Sequence, residues 1–182
     1  GLTFESAYGM LCMKLAFAFQ DYQFLLDDDA ISDDDKGIFK RILGRTASMD
    51  ETKSCFLLLT RMLEIHFKKS AVVILDEYDV PIAKASSNGY YSQMLDVMRA
   101  IMSTTLKDNT SLDFAVVTGC LKIAKESIFT GTNNFVSDTI LSPRLSESFG
   151  FTQADVDQML NDAGLESQSA EIKAWYDGYH FG

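Results

Sequence analysis

The apolar positions of the chain fall into two rhythms. From Phe4 to Leu26 the residues Phe4, Tyr8, Leu11, Cys12, Leu15, Phe19 and Tyr22 recur at spacings of three and four, which predicts one amphipathic helix with a wide apolar face. Ser32 followed by Asp33, Asp34 and Asp35 predicts a capped start for a helix reaching about Leu43, because acids favour the positive end of the helix dipole. Ser48 and Glu51 have the spacing of a capping box. Behind them Cys55, Leu58, Leu59, Met62, Ile65 and His66 mark a second long helix that ends in Lys68-Lys69.

The rhythm then changes. Ala71-Val72-Val73-Ile74-Leu75 is unbroken apolar sequence, and Leu112-Asp113-Phe114-Ala115-Val116-Val117 is a second such run. Between them Tyr91, Met94, Leu95, Met98, Ile101, Met102 and Leu106 follow helical spacing. Strand, helix, strand is a βαβ unit, which predicts a parallel pair with a right-handed crossover. β-branched runs of this length suit strands covered on both faces. Pro81 is expected to stop the ladder, and Ser86-Ser87-Asn88-Gly89 to form a loop. Three methionines on the middle helix suit either core filling or an adaptable groove, core filling being the commoner use.

Farther on, the pattern predicts a helix over 121–129, a turn at Gly131-Thr132-Asn133-Asn134 and a short strand from Val136 to Leu141. Beyond Pro143 the character turns to short helices. Thr152 with Asp155 begins one that stops at Gly164, and Ile172, Trp175 and Tyr176 mark another before an Asp177-Gly178 turn. The expected organisation is an α/β core over 1–142 and a small helical lobe over 143–182.

Composition narrows the class. The 182 residues are 47% hydrophobic and 23% charged, enough for one sizeable core. A formal net charge of −10 argues against direct nucleic-acid binding by counterion release. Cys12, Cys55 and Cys120 are far apart and have apolar neighbours, which suits reduced core thiols in a cytoplasmic protein and not a zinc site or a disulfide framework. Apolar stretches stay near five residues, so no membrane span is expected.

The candidate chemistry lies where the first strand ends. Asp76, Glu77 and Asp79 follow it directly, at the edge where open α/β sheets bind ligands. Asp76 is a candidate to hold Mg²⁺ through its water shell, and Glu77 to polarise a water attacking a phosphate. An acid at a strand end also serves simply to cap the next turn. Thr118 closes the second strand and is predicted at the same edge, where its hydroxyl either senses a phosphate or bonds nearby backbone. Other signals are weaker. Asp27 to Asp35 lacks the spacing of a Ca²⁺ loop, His66 reads as a core or boundary histidine, and Glu171-Ile172-Lys173 matches a nuclease fragment but sits on a helical pattern.

Four ordered segments give a resemblance: Ile74-Leu75-Asp76-Glu77-Tyr78-Asp79-Val80-Pro81-Ile82; Val117-Thr118-Gly119 with Ala124 through Asn134; Phe149-Gly150-Phe151-Thr152; and Trp175 through Gly182. Together they resemble the bacterial AAA-ATPase-like family, whose members usually carry a PD-(D/E)XK nuclease-like domain after the ATPase region. The resemblance implies a three-layer parallel sheet of P-loop NTPase type, here N-terminally incomplete. It implies Asp76 and Glu77 as Walker B acids, Thr118 on a sensor-like strand, and Mg²⁺ and ATP as cofactors of the intact domain. No GxxxxGK[ST] occurs, and Gly37 through Gly44-Arg45-Thr46 is a poor imitation. In the family that loop lies upstream of this chain's first residue.

The expected function is therefore a partial ATPase domain that binds ATP poorly alone and needs the missing N-terminal segment. The alternative is a non-catalytic interaction module on an ATPase scaffold. In folds of this type the strand preceding the phosphate loop lies beside the sensor-like strand, here Phe114 to Val117, so self-association across an exposed sheet edge is also expected unless Val136 to Leu141 folds back to occupy it.

Overall fold

The computed structural model describes residues 2–120, 136–139, 141–148 and 150–176. Gly1–Asn133 and Asn134–Gly182 form two compact units.

The first unit opens with α1 (Phe4–Gln20), whose N-cap Thr3 accepts from the Ser6 amide. The single helix expected to Leu26 stops early. Tyr22 takes a non-helical conformation and the chain tightens into a 3₁₀ turn, Gln23–Asp27. Helix α2 (Asp33–Leu43) begins at Ser32 as expected, with the hydroxyl accepting from the Asp35 amide. The second long helix is broken in two, α3 (Met49–Lys53) and α4 (Cys55–Phe67). Ser54 between them leaves helical geometry while its hydroxyl donates back to the Asp50 carbonyl at 2.9 Å, a local bond that competes with the helix ladder. The Ser48–Glu51 capping box forms. Lys68 in left-handed conformation ends α4.

These helices close around Leu15, Phe19, Leu25, Ile31, Phe39, Ile42, Cys55, Leu58, Leu59 and Met62. The rings of Phe19 and Phe39 meet with centroids 4.9 Å apart. Burial pushes the Cys55 thiol up to about 12, so it is an inert core group. The other two thiols depart from the expected core placement: Cys12 is half-buried and Cys120 exposed.

Strand β1 (Ala71–Leu75) pairs in parallel with β2 (Leu112–Val117), with Val73 opposite Ala115 and Leu75 opposite Val117. Between them run α5 (Val80–Ser87) and α6 (Tyr91–Leu106). Helix α5 takes in Ser86 and Ser87 of the expected loop, while Asn88 and Gly89, the latter at φ 79°, form the turn that follows it. Pro81 falls in its first turn, where the missing N–H is one that no intrahelical acceptor would have met. Met94, Met98 and Met102 are buried, so this stripe fills the core. Asn109 places the start of β2: its side chain donates to the Thr105 carbonyl and the Thr60 hydroxyl and accepts from the Ser111 amide.

The described residues do not show the expected three layers. Among the described residues the sheet has two strands, packed on α4 and α6, and the fold is mixed α/β and mostly helical. Val73 faces the helices, while Val72, Ile74, Phe114 and Val116 on the opposite face are exposed, Ile74 by 72%. β-branched runs thus mark strands, as expected, but here only one face is covered.

The second unit is helical, with a 3₁₀ segment Pro143–Ser148, α7 (Gln153–Ala163), a 3₁₀ turn Glu166–Gln168 and α8 (Ser169–Tyr176). Thr152 and Asp155 complete a capping box at α7, and Gly164 at φ 67° ends it. Glu171-Ile172-Lys173 lies in α8. The strand expected from Val136 to Leu141 is absent at 136–139 and 141. Thr139 and Ser142 tie this stretch into a turn instead: the Ser142 amide donates to the Thr139 carbonyl at 2.8 Å, and the Thr139 amide to the Ser142 hydroxyl at 2.9 Å. The expected helix over 121–129, the turn at 131–134 and the Asp177-Gly178 turn lie outside the described residues.

Candidate functional site

Because β1 and β2 are parallel and Leu75 is level with Val117, Asp76 and Thr118 leave the sheet at the same edge. The ladder runs one step past the strands: the Thr118 amide donates to the Leu75 carbonyl at 2.8 Å, and the Tyr78 amide to the Thr118 carbonyl at 3.1 Å. The side chains meet as well. The Thr118 hydroxyl donates to Asp76 Oδ1, and the same oxygen accepts from the Glu77 amide at 2.8 Å. Two donors on one carboxylate oxygen fix the orientation of the group, which is exposed to solvent.

Glu77 is exposed beside it, with left-handed backbone geometry at φ 53°. Side chains with a Cβ pay for that conformation sterically. It turns the chain sharply, so that the Glu77 carbonyl accepts from the Val80 amide at 3.1 Å and α5 starts directly. Asp79 heads α5 and is 3% exposed.

Sequence reading thus brought Asp76, Glu77 and Thr118 to one edge, and the structure places them there. It missed what Gly119 does. A Cβ at Gly119 would lie 2.5 Å from Asp79 Oδ1 and 2.7 Å from Tyr78 Cε1, so residue 119 has no room for a side chain. The signal was a glycine two residues past the last residue of β2, since a residue without a Cβ permits close approach of another group. His66, read as a boundary residue, bonds Asp28 Oδ2 through Nδ1 at 2.8 Å. Asp28 is held below the usual carboxylate range by the Ala30 amide and then by His66. A groove of about 400 Å³ lies at the opposite end of β1, lined by Leu63, Phe67, Lys69, Ser70, Ala71 and Val72, and shares none of the acids.

The donor set suits a hydrated magnesium ion and not an all-protein cage. Magnesium keeps several waters and takes one or two carboxylates together with substrate phosphates, and Asp76 offers an oriented, solvent-facing carboxylate of that kind. Among the described residues no group of three or more His, Cys, Asp or Glu converges as a metal site. Nor is any described helix long and apolar enough to cross a membrane.

No solved structure matches the chain. A relative from Azotobacter chroococcum mcd 1, described as an uncharacterized protein in the vnfD 5' region, is 30% identical over 145 residues. The match takes in 79% of this chain but only 28% of that protein's length. The family model for AAA-ATPase-like proteins, described as predicted AAA-ATPase, matches residues 15–129, a span that contains β1, β2 and the acids between them, and the chain belongs to that family.

Proposed function

We propose that the chain is the downstream part of an AAA-like ATPase domain of P-loop type, and that Asp76 and Glu77 are the Walker B acids of the intact domain. The observation that supports this reading is the meeting of Asp76 and Thr118 at the carboxyl edge of a parallel pair, in a chain of the AAA-ATPase-like family. When bound, Mg²⁺-ATP supplies the phosphoanhydride to be cleaved and a positive charge on its phosphates. Asp76, oriented by Thr118 and the Glu77 amide, would hold the ion through its water shell, and Glu77 would accept a proton from the attacking water. Thr118 keeps Asp76 in place and senses its environment.

The same reading accounts for the bare sheet. A three-layer P-loop core needs further strands beside this pair and helices over its open face, and Val72, Ile74, Phe114 and Val116 are the apolar surface they would cover. It also accounts for the absence of GxxxxGK[ST] from these residues. Without that loop the chain has no cradle of backbone N–H groups for the phosphates and is inactive alone.

The test is Mg²⁺-dependent ATP hydrolysis by the natural protein that carries this chain. Glu77→Gln is expected to lower kcat at least 100-fold with nucleotide binding retained, while the 182-residue chain alone shows no saturable Mg²⁺-ATP binding below millimolar concentration. Hydrolysis by Glu77→Gln at the unmodified rate would overturn the assignment.

A further inference from the structure

We infer that Asp79 and Gly119 are positioning residues for the candidate acids, forming a seat that holds Glu77 in its left-handed conformation; the inference rests on the reading of Asp76 and Glu77 as the hydrolytic pair. Asp79 occupies the N-cap position of α5, where a carboxylate ordinarily accepts from the first-turn amides. Here the side chain makes no such bond with its own helix. It is buried and lies against the end of β2, with Oδ1 only 2.5 Å from where a Cβ on Gly119 would stand. The ring of Tyr78 fills the space beside it, with Cε1 and Cδ1 at 2.7 and 2.8 Å from that same point. Two consecutive side chains of the acidic turn are therefore laid on one glycine of the neighbouring strand end.

Glu77 is spanned by this contact. On one side Asp76 is bonded to the Thr118 hydroxyl, and on the other the Tyr78 amide is bonded to the Thr118 carbonyl. Both neighbours of Glu77 are thus clamped to Thr118, and a left-handed residue closes the short arc between the two bonds. Such a conformation persists in a residue with a Cβ only where the surroundings over-determine it. Gly119 permits the close approach, and the Asp79 carboxylate keeps the turn seated. If the turn lifts, Glu77 relaxes toward extended or right-handed geometry, and its carboxylate leaves the place from which it would reach a water near Asp76.

The test uses two variants and two independent readouts. Gly119→Ala inserts the Cβ that the seat excludes, and Asp79→Asn keeps the shape of the buried side chain while removing its charge. In the 182-residue chain the expected result, for both variants, is exchange of the Tyr78 amide hydrogen at least ~10-fold faster and a Glu77 ¹³Cα shift that moves away from the left-handed range. Protection in α4 should be unchanged, which shows that the fold persists. Should Gly119→Ala fail to fold, Asp79→Asn decides alone. In the natural protein Asp79→Asn should lower kcat for ATP about 10-fold with KM within about twofold, since misplacing a reacting group by about 1 Å costs up to ~100-fold. Unchanged Tyr78 exchange and Glu77 shift would overturn the seat, and moved shifts with an unchanged kcat, in a protein that Glu77→Gln inactivates, would overturn its role in positioning Glu77. Loss of the ATPase reading is distinguishable, because it would appear as full activity in Glu77→Gln whatever the two variants do to Tyr78.

Discussion

The Thr118 hydroxyl donates to Asp76 Oδ1 across the end of the parallel pair, joining two residues 42 positions apart in the chain. The contact exists because both strands are five or six residues long and in register at Leu75 and Val117. Any slip of the ladder would carry the hydroxyl away from the carboxylate.

Thr118→Val keeps the β-branched shape and removes that donor. If the bond orients Asp76 for magnesium, kcat of the natural protein should fall by about 10- to 100-fold, the range expected when a reacting group is misplaced. Both residues are exposed, and the melting midpoint should move by no more than about 2 °C. Steady-state hydrolysis together with a thermal melt checks both statements. An unchanged kcat would remove Thr118 from the site.

Glu77 at φ 53° gives a stability prediction. Left-handed backbone costs a residue with a Cβ roughly 1–2 kcal/mol, and glycine escapes that cost at the expense of a more flexible unfolded chain. Glu77→Gly should therefore be more stable than Glu77→Ala by about 1 kcal/mol, the reverse of the order in helices. Urea unfolding of the two variants is the measurement. Equal stabilities, or Ala the more stable, would mean that the position is not left-handed in solution.

Much of this arrangement was legible in the residues. The β-branched runs mark both strands, and the helical stretch between them implies their parallel sense, so the residues alone bring Asp76, Glu77 and Thr118 to one edge. What escaped was governed by contacts that periodicity does not encode. Ser54 splits a helix through its own hydroxyl bond to Asp50. Pro81 opens a helix because the first turn has no use for its missing N–H. Val136 and Leu141 look strand-like, yet Thr139 and Ser142 bind the intervening backbone into a turn. Gly119 reads as a strand terminator, and only the positions of Tyr78 and Asp79 reveal that it is a contact surface.

Acid sensitivity should be visible at α3. Glu51 accepts from Arg41 Nε at 3.0 Å and Nη2 at 2.5 Å, and from the Ser48 amide at 2.8 Å. The Arg41 bonds first, and then the Ser48 amide, hold it well below its ordinary 4.5, at about 2. A carboxylate depressed on folding contributes stability that is full above 4.5 and is lost as pH falls toward 2. Glu51→Gln keeps the capping geometry and removes the titration, so its melting midpoint should fall less steeply than that of the unmodified chain between about pH 5 and pH 2. Added salt should narrow the difference, because the pair is exposed to screening. Parallel slopes in the two proteins would show that Glu51 is not held as described.

The open sheet face makes the last prediction. Val72 and Ile74 on β1 stand level with Phe114 and Val116 on β2, and all four are exposed, by 46%, 72%, 54% and 44% respectively. Both strands are also edges of the described two-stranded sheet, and an edge strand is a template for pairing with another chain. In the proposed intact domain further strands and helices would cover this surface, and on that reading the 182-residue chain alone presents an apolar face that the whole domain buries. An apolar surface joined to open edges is a template for association, and a stable contact needs roughly 800 Å² from each partner. The isolated chain should therefore self-associate as its concentration rises, with a second copy supplying the missing cover. Ile74→Lys places a charge at the centre of the face, and a lysine on an open sheet is a common device against pairing; Asp76 and Thr118 are left untouched. Light scattering across a concentration series should show the unmodified chain gaining mass and Ile74→Lys remaining monomeric, while the natural protein shows no dependence on residue 74. A monomeric isolated chain at high concentration would refute the association, and equal association in Ile74→Lys would assign it to another surface.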